Sequence, residues 1–63
     1  MTTDVLDTFV WARSRSEAIN KAKTEFRRGG SISKTQVLRI HKTGQKKATG
    51  EEEYLVKARV FLR

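Results

Sequence analysis

The stretch from Glu53 to Arg63 constrains the fold more than any other part of the chain. Its even positions, Tyr54, Val56, Ala58, Val60 and Leu62, are continuously apolar, whereas its odd positions, Leu55, Lys57, Arg59, Phe61 and Arg63, mix cations with apolar groups. Successive side chains of a strand point to opposite sides, so this alternation describes a strand buried on its even face and open on its odd face. A strand of that kind needs a second layer to cover its apolar side.

The covering layer is legible upstream. Ala18, Ile19, Ala22 and Phe26 recur at three- and four-residue steps and form one narrow apolar stripe, which predicts a helix over 15–28. Ser14-Arg15-Ser16-Glu17 fits a capping box at its start, with the serine oxygen accepting a free first-turn amide and the glutamate reaching back to the cap residue's amide. Arg27 and Arg28 suit the carbonyl end of the helix dipole, and Gly29 or Gly30 can take the left-handed conformation that closes a helix. Gly29-Gly30-Ser31 is thus a helix stop; phosphate-cradling loops precede a helix rather than follow one.

Two further strands are expected, at Val5 to Arg13 and at Thr35 to Lys42, both rich in β-branched and aromatic residues. Between the second and third strands, Thr43 to Glu52 is too long for a tight hairpin turn. It is either a loose loop or a projecting two-stranded arm with Lys46 and Lys47 near its tip. The expected fold is α+β, in the order β-α-β-β, with one helix packed on a three-stranded, at least partly antiparallel sheet. Applied to the other strands, the same alternation sends Leu6, Val10 and Ala12, with Thr8 beside them, and Leu38 and Ile40 toward the helix. The opposite face then carries Phe9, Trp11 and Arg13; Val37, Arg39 and His41; and Leu55, Lys57, Arg59, Phe61 and Arg63.

Size makes this open face important. A chain of 63 residues forms one domain and buries only about 60% of the surface its unfolded form exposes. With no cysteine and a single histidine it has neither disulfide nor zinc site to staple it, so a partner or oligomerisation is expected to contribute stability. Absence of cysteine suits a reducing compartment, and the N-terminal stretch, with Asp4 and Asp7 and no basic region, is unlike a signal peptide or a membrane span. The expected location is the cytoplasm, away from the membrane.

Charge narrows the function classes. Fourteen Lys and Arg stand against seven Asp and Glu, a net charge of +7, and residues 13–47 hold eleven of the cations with only Glu17 and Glu25, a local net of +9. His41 has no second histidine or cysteine to share a metal. Glu17 is used in capping, the run Glu51 to Glu53 belongs to a solvated turn, and no serine has a base and an orienting partner. The sequence therefore predicts a binding protein without cofactor or metal, not an enzyme. Aromatic rings on an open sheet can stack unpaired bases while Arg and Lys neutralise the phosphates. On this reading Trp11, Arg39, Lys57, Arg59 and Phe61 supply face contacts and Lys46 and Lys47 contact phosphates, with DNA or RNA as partner. The alternative is a protein-interaction module, an inhibitor or adaptor, docking through the same face.

Chain length, the strand-helix-strand-strand order and the closing Tyr54-Leu55-Val56-Lys57-Ala58-Arg59-Val60 are similar in outline to dodecins, small hollow-shell flavin proteins. That resemblance implies a ligand-storing homo-oligomer. Dodecins carry a flavin-stacking tryptophan at the start of the middle strand, where this sequence has Thr35 and Gln36, and the turn from Ala12 to Glu17 is tighter than theirs.

Overall fold

The computed structural model describes residues 2–28 and 30–63. Strand β1 (Thr3–Ala12) leads through a two-residue turn into helix α1 (Arg15–Arg27), followed by β2 (Ile32–Lys46) and β3 (Glu52–Leu62). The three strands form one sheet in the order β1-β3-β2, with both pairings antiparallel. The last strand therefore lies in the centre, hydrogen-bonded on both sides. This is the α+β arrangement expected from the alternation. Among the described residues no helix is long and apolar enough to cross a membrane.

Helix α1 starts where the serine signal placed it. Ser14 has an extended backbone and its Oγ accepts from the Glu17 amide at 3.2 Å, which satisfies one of the free first-turn donors. The reciprocal half of the capping box is replaced by an ion pair, because the Glu17 carboxylate engages Lys21 Nζ one turn along at 3.1 Å. At the other end Gly30 has φ of 73°, the left-handed geometry that a side chain disfavours, and its amide bonds to the Arg27 carbonyl at 3.0 Å. Gly29, the other candidate for this role, lies outside the described residues.

The core follows from placing α1 over the even face of β3. Val10, Ala12, Ala18, Ala22, Phe26, Tyr54, Val56, Ala58 and Val60 are buried together, and Ile32, Val37, Ile40 and Leu62 pack against them. Four of the nine are alanines, so the helix stripe and the sheet meet through small side chains and the apolar area removed from water is modest. Ile19, expected in the stripe, is only half-buried, and Leu6, on the covered side of β1, remains 37% exposed.

Strand β2 departs from simple alternation. From Ile32 to Lys46 it advances fourteen residues while β3 advances ten, from Leu62 to Glu52, so β2 carries four residues more than its partner. The register shifts fall at Ser33, at Leu38, and within Thr43 to Gln45. The single-residue shifts at Ser33 and Leu38 have the count of a β-bulge, which inserts an unpaired residue, bends the strand and increases its twist, and the third is a wider irregularity beside the turn. The bulge at Leu38 corrects the sequence reading of this strand. Before it the odd residues Thr35 and Val37 face the helix; after it the even residue Ile40 does. Leu38, expected inward, is 43% exposed, and Val37, expected outward, packs on the core. The same irregularity near the turn gives Gly44 a φ of 98°.

The connection between β2 and β3 is neither loose nor free-standing. The strands continue to a short turn in which Lys47 N donates to Glu51 O at 2.8 Å and Gly50 N to Lys47 O at 3.1 Å, and β1 accompanies β3 as far as the Ala12–Glu52 pair.

Two outcomes test this packing. Replacing Phe26, the one aromatic of the helix stripe, with alanine should cost about 3 to 5 kcal/mol by leaving a cavity, read as loss of the cooperative melt. Thr35 is buried with its Oγ1 unpaired, so Thr35→Val, which removes the desolvated hydroxyl at constant shape, should raise stability by about 1 kcal/mol in denaturant titration.

Candidate functional site

Directly opposed residues of an antiparallel pair share a face, so the two registers lay out the uncovered side of the sheet in rows. Across β1, β3 and β2 these rows are Thr3, Phe61 and Lys34; Val5, Arg59 and Gln36; Asp7, Lys57 and Arg39; Phe9, Leu55 and His41. Strands lie about 4.8 Å apart and alternate residues of one strand about 6.8 Å apart. Lys34, Arg39, Lys57 and Arg59 therefore form a compact cationic cluster in the middle and at one end, with Phe9 and Leu55 at the other end.

Arg39 and Lys57 are directly opposed, an arrangement that destabilises an isolated sheet. Among the described residues the salt bridges use Lys21, Arg28 and Lys42, and none reaches Lys34, Arg39, Lys57 or Arg59. The one carboxylate in these rows, Asp7 opposite Lys57, forms no salt bridge among the described residues, so the four cations are offset by a single unpaired neighbour. Gln36 was not assigned to this face from sequence because the bulge at Leu38 inverts the alternation ahead of it, and Lys34 was not because β2 begins at Ile32, ahead of the expected start at Thr35. Two consecutive apolar positions, Val37 and Leu38, break the alternation there but do not by themselves say which of them is skipped.

Of the seven residues singled out from sequence, Arg39, Lys57, Arg59 and Phe61 come together on this surface. Trp11 does not join them. It ends β1 opposite Glu53, four residues from the Lys57 row, or about 13 Å along the strand. Lys47 joins Trp11 instead, with its Nζ 4.6 Å from the ring centroid in a cation–π contact. Lys34 sits in the same way over Phe61, at 5.7 Å. Lys46 pairs with Glu52 on the helix side of the sheet, beyond the helix, and so belongs to neither group. The most open aromatic is Phe9, 60% exposed, which the sequence reading placed on this face without giving it a role.

The turn that carries Lys47 is fixed to the start of the helix. Arg13 Nη2 donates to the Thr49 carbonyl at 3.3 Å, and Lys21 Nζ donates to the Trp11 carbonyl at 2.6 Å and lies 3.5 Å from Glu51 Oε2. Thr49 Oγ1 donates to the other Glu51 oxygen at 3.2 Å. That hydroxyl, followed by Lys21, holds the Glu51 carboxyl below the ordinary glutamate range. Hydrogen bonding to Glu17 above all, with Glu51 adding to it, raises Lys21 above the ordinary lysine range.

The chain matches no protein-family model, no curated protein and no solved structure. Its chemistry is therefore read from this surface.

The Lys21–Glu51 clasp sets a pH dependence with a definite sign. A carboxyl lowered in the folded state contributes stability above its unfolded pKa and loses it as pH falls through the folded one, whereas a raised lysine contributes below its unfolded pKa and loses it as pH rises through the folded one. Thermal melts of the parent and Glu51→Gln should differ at neutral pH and converge at low pH. The neutral-pH gap should shrink in high salt, because both groups face solvent.

Proposed function

We propose that this protein binds nucleic acid through the uncovered face of its sheet, with single strands as the preferred form. The opposed Arg39 and Lys57 carry the reading: like charges held directly across a sheet, with Arg59 one row away, Lys34 two rows away and a single carboxylate, Asp7, on the other side of Lys57, suit a polyanion that bridges them. The contribution of Arg39 and Lys57 is then phosphate neutralisation, which is independent of sequence. Phe9 offers an exposed ring on the same face, the type of platform on which an unpaired base stacks. Trp11 with Lys47 forms a second aromatic and cationic element at the turn end, reached by a strand that runs along the sheet. The net charge of +7 favours encounter with any polyanion.

Titration with labelled single- and double-stranded oligonucleotides across a salt series tests this. Affinity should fall linearly in log–log form with salt, and Arg39→Gln with Lys57→Gln should weaken binding to all sequences and flatten the slope by about one to two units. Phe9→Ala should cost about 1 to 3 kcal/mol on single strands and little on duplex, whose bases are already stacked. Absence of binding at low salt rejects the reading, and full affinity in the double variant moves the site elsewhere.

A further inference from the structure

The two edges of the sheet are unequal. Strand β2 carries three register irregularities, a device that discourages a further strand from pairing with an edge, whereas β1 pairs with β3 in unbroken register over its ten residues and presents a regular outer edge. Three large apolar side chains that stand exposed, Val5, Leu6 and Phe9, lie on this same strand.

The direction of the edge groups is fixed by their contacts. Thr2 O accepts from Leu62 N at 2.9 Å, so even residues turn their main-chain groups toward β3 and odd residues turn theirs outward. Two of the outward groups are satisfied within the chain: the Val5 amide by Asp4 Oδ1 at 2.8 Å and the Trp11 carbonyl by Lys21 Nζ at 2.6 Å. Between them the amides and carbonyls of Asp7 and Phe9 face outward, and among the described residues no side chain bonds to them. The open stretch is bounded by residues 5 and 11, which places its midpoint at Thr8.

We propose that this edge pairs with the β1 edge of a second copy, antiparallel about a twofold axis at Thr8, to give a continuous six-stranded sheet. In that register Asp7 of one copy stands opposite Phe9 of the other, twice, which supplies four main-chain hydrogen bonds and sets no carboxylate directly against its equivalent. Charge permits this meeting surface. Two copies of a chain with net charge +7 repel, and β1 is the only one of the four elements without lysine or arginine, so pairing there sets no cation against a cation, while the two Asp7 carboxylates, diagonal to one another, add a repulsion that the hydrogen bonds must exceed. The inference is independent of nucleic-acid binding and is tested in its absence.

Sedimentation of the parent should give the mass of two chains, and amide exchange should show Asp7 and Phe9 protected at high concentration and exposed on dilution. Asp7→Pro removes an outward amide without touching the ladder to β3, a placement that edge strands tolerate, and should give a folded species of half the mass. A parent that stays monomeric at millimolar concentration, a dimer with unprotected Asp7 and Phe9 amides, or a folded Asp7→Pro variant of unchanged mass would overturn the proposal. If Asp7→Pro fails to fold, the exchange pattern of the parent decides alone. Binding of a foreign strand at this edge by a monomeric parent would likewise reject the second copy as its occupant.

Discussion

Val56, Ala58 and Val60 are wholly shielded from water, and every other part of the molecule is arranged to keep them so. The shielding needs a neighbour on each side of β3 and a helix above it. Because the chain supplies its central strand last, β1 and β2 have no pairing partner until β3 arrives. Long-range pairing of this kind makes the sheet an all-or-none structure, since neither outer strand can form a ladder with the other. The alanines at 12, 18, 22 and 58, all fully buried, bring little apolar area each, so the fold depends on the completeness of the enclosure more than on any one side chain.

One helix covers one side of a sheet, which leaves the other side as an obligatory surface. Its composition is unusual for a merely solvated face. A solvated face is best served by interspersed charges of both signs, yet here most carboxylates are drawn elsewhere, Glu17 and Glu51 to Lys21, Glu25 to Arg28, and Glu52 to Lys42, which leaves Asp7 as the one carboxylate among the cations of this face. Glu53 receives a hydrogen bond from Thr43 Oγ1 at 2.7 Å. The cations at 34, 39, 57 and 59 are left facing outward together.

What the sequence revealed and what it concealed divide along physical lines. Periodicity of two in β3 and of three to four in α1, together with Ser14 and the closing glycine pair, specified element order, the helix start and the inner face of the central strand. These are local signals, each written in a few adjacent residues. The inner face of β2 was concealed because a bulge is a relation between two strands: nothing in Val37-Leu38 alone states that β3 will skip one of them. The same error removed Gln36 from the open face, and the earlier start of the strand, at Ile32, brought in Lys34. Trp11 and Lys47 could each be picked out by type, but their contact depends on the turn being tied back by Arg13 and Lys21, which only the folded chain establishes.

The three irregularities of β2 also give the molecule a definite tolerance to change in chain length. A strand that already carries four residues more than its partner can lose or gain one by moving a bulge, with the pairs on either side kept in phase. In β1 or β3 the same single-residue change has nowhere to go, and it would turn every subsequent side chain from the helix toward solvent. Length variation in a lineage of such chains is therefore confined by geometry to one edge of the sheet, while the other two strands must change by substitution alone.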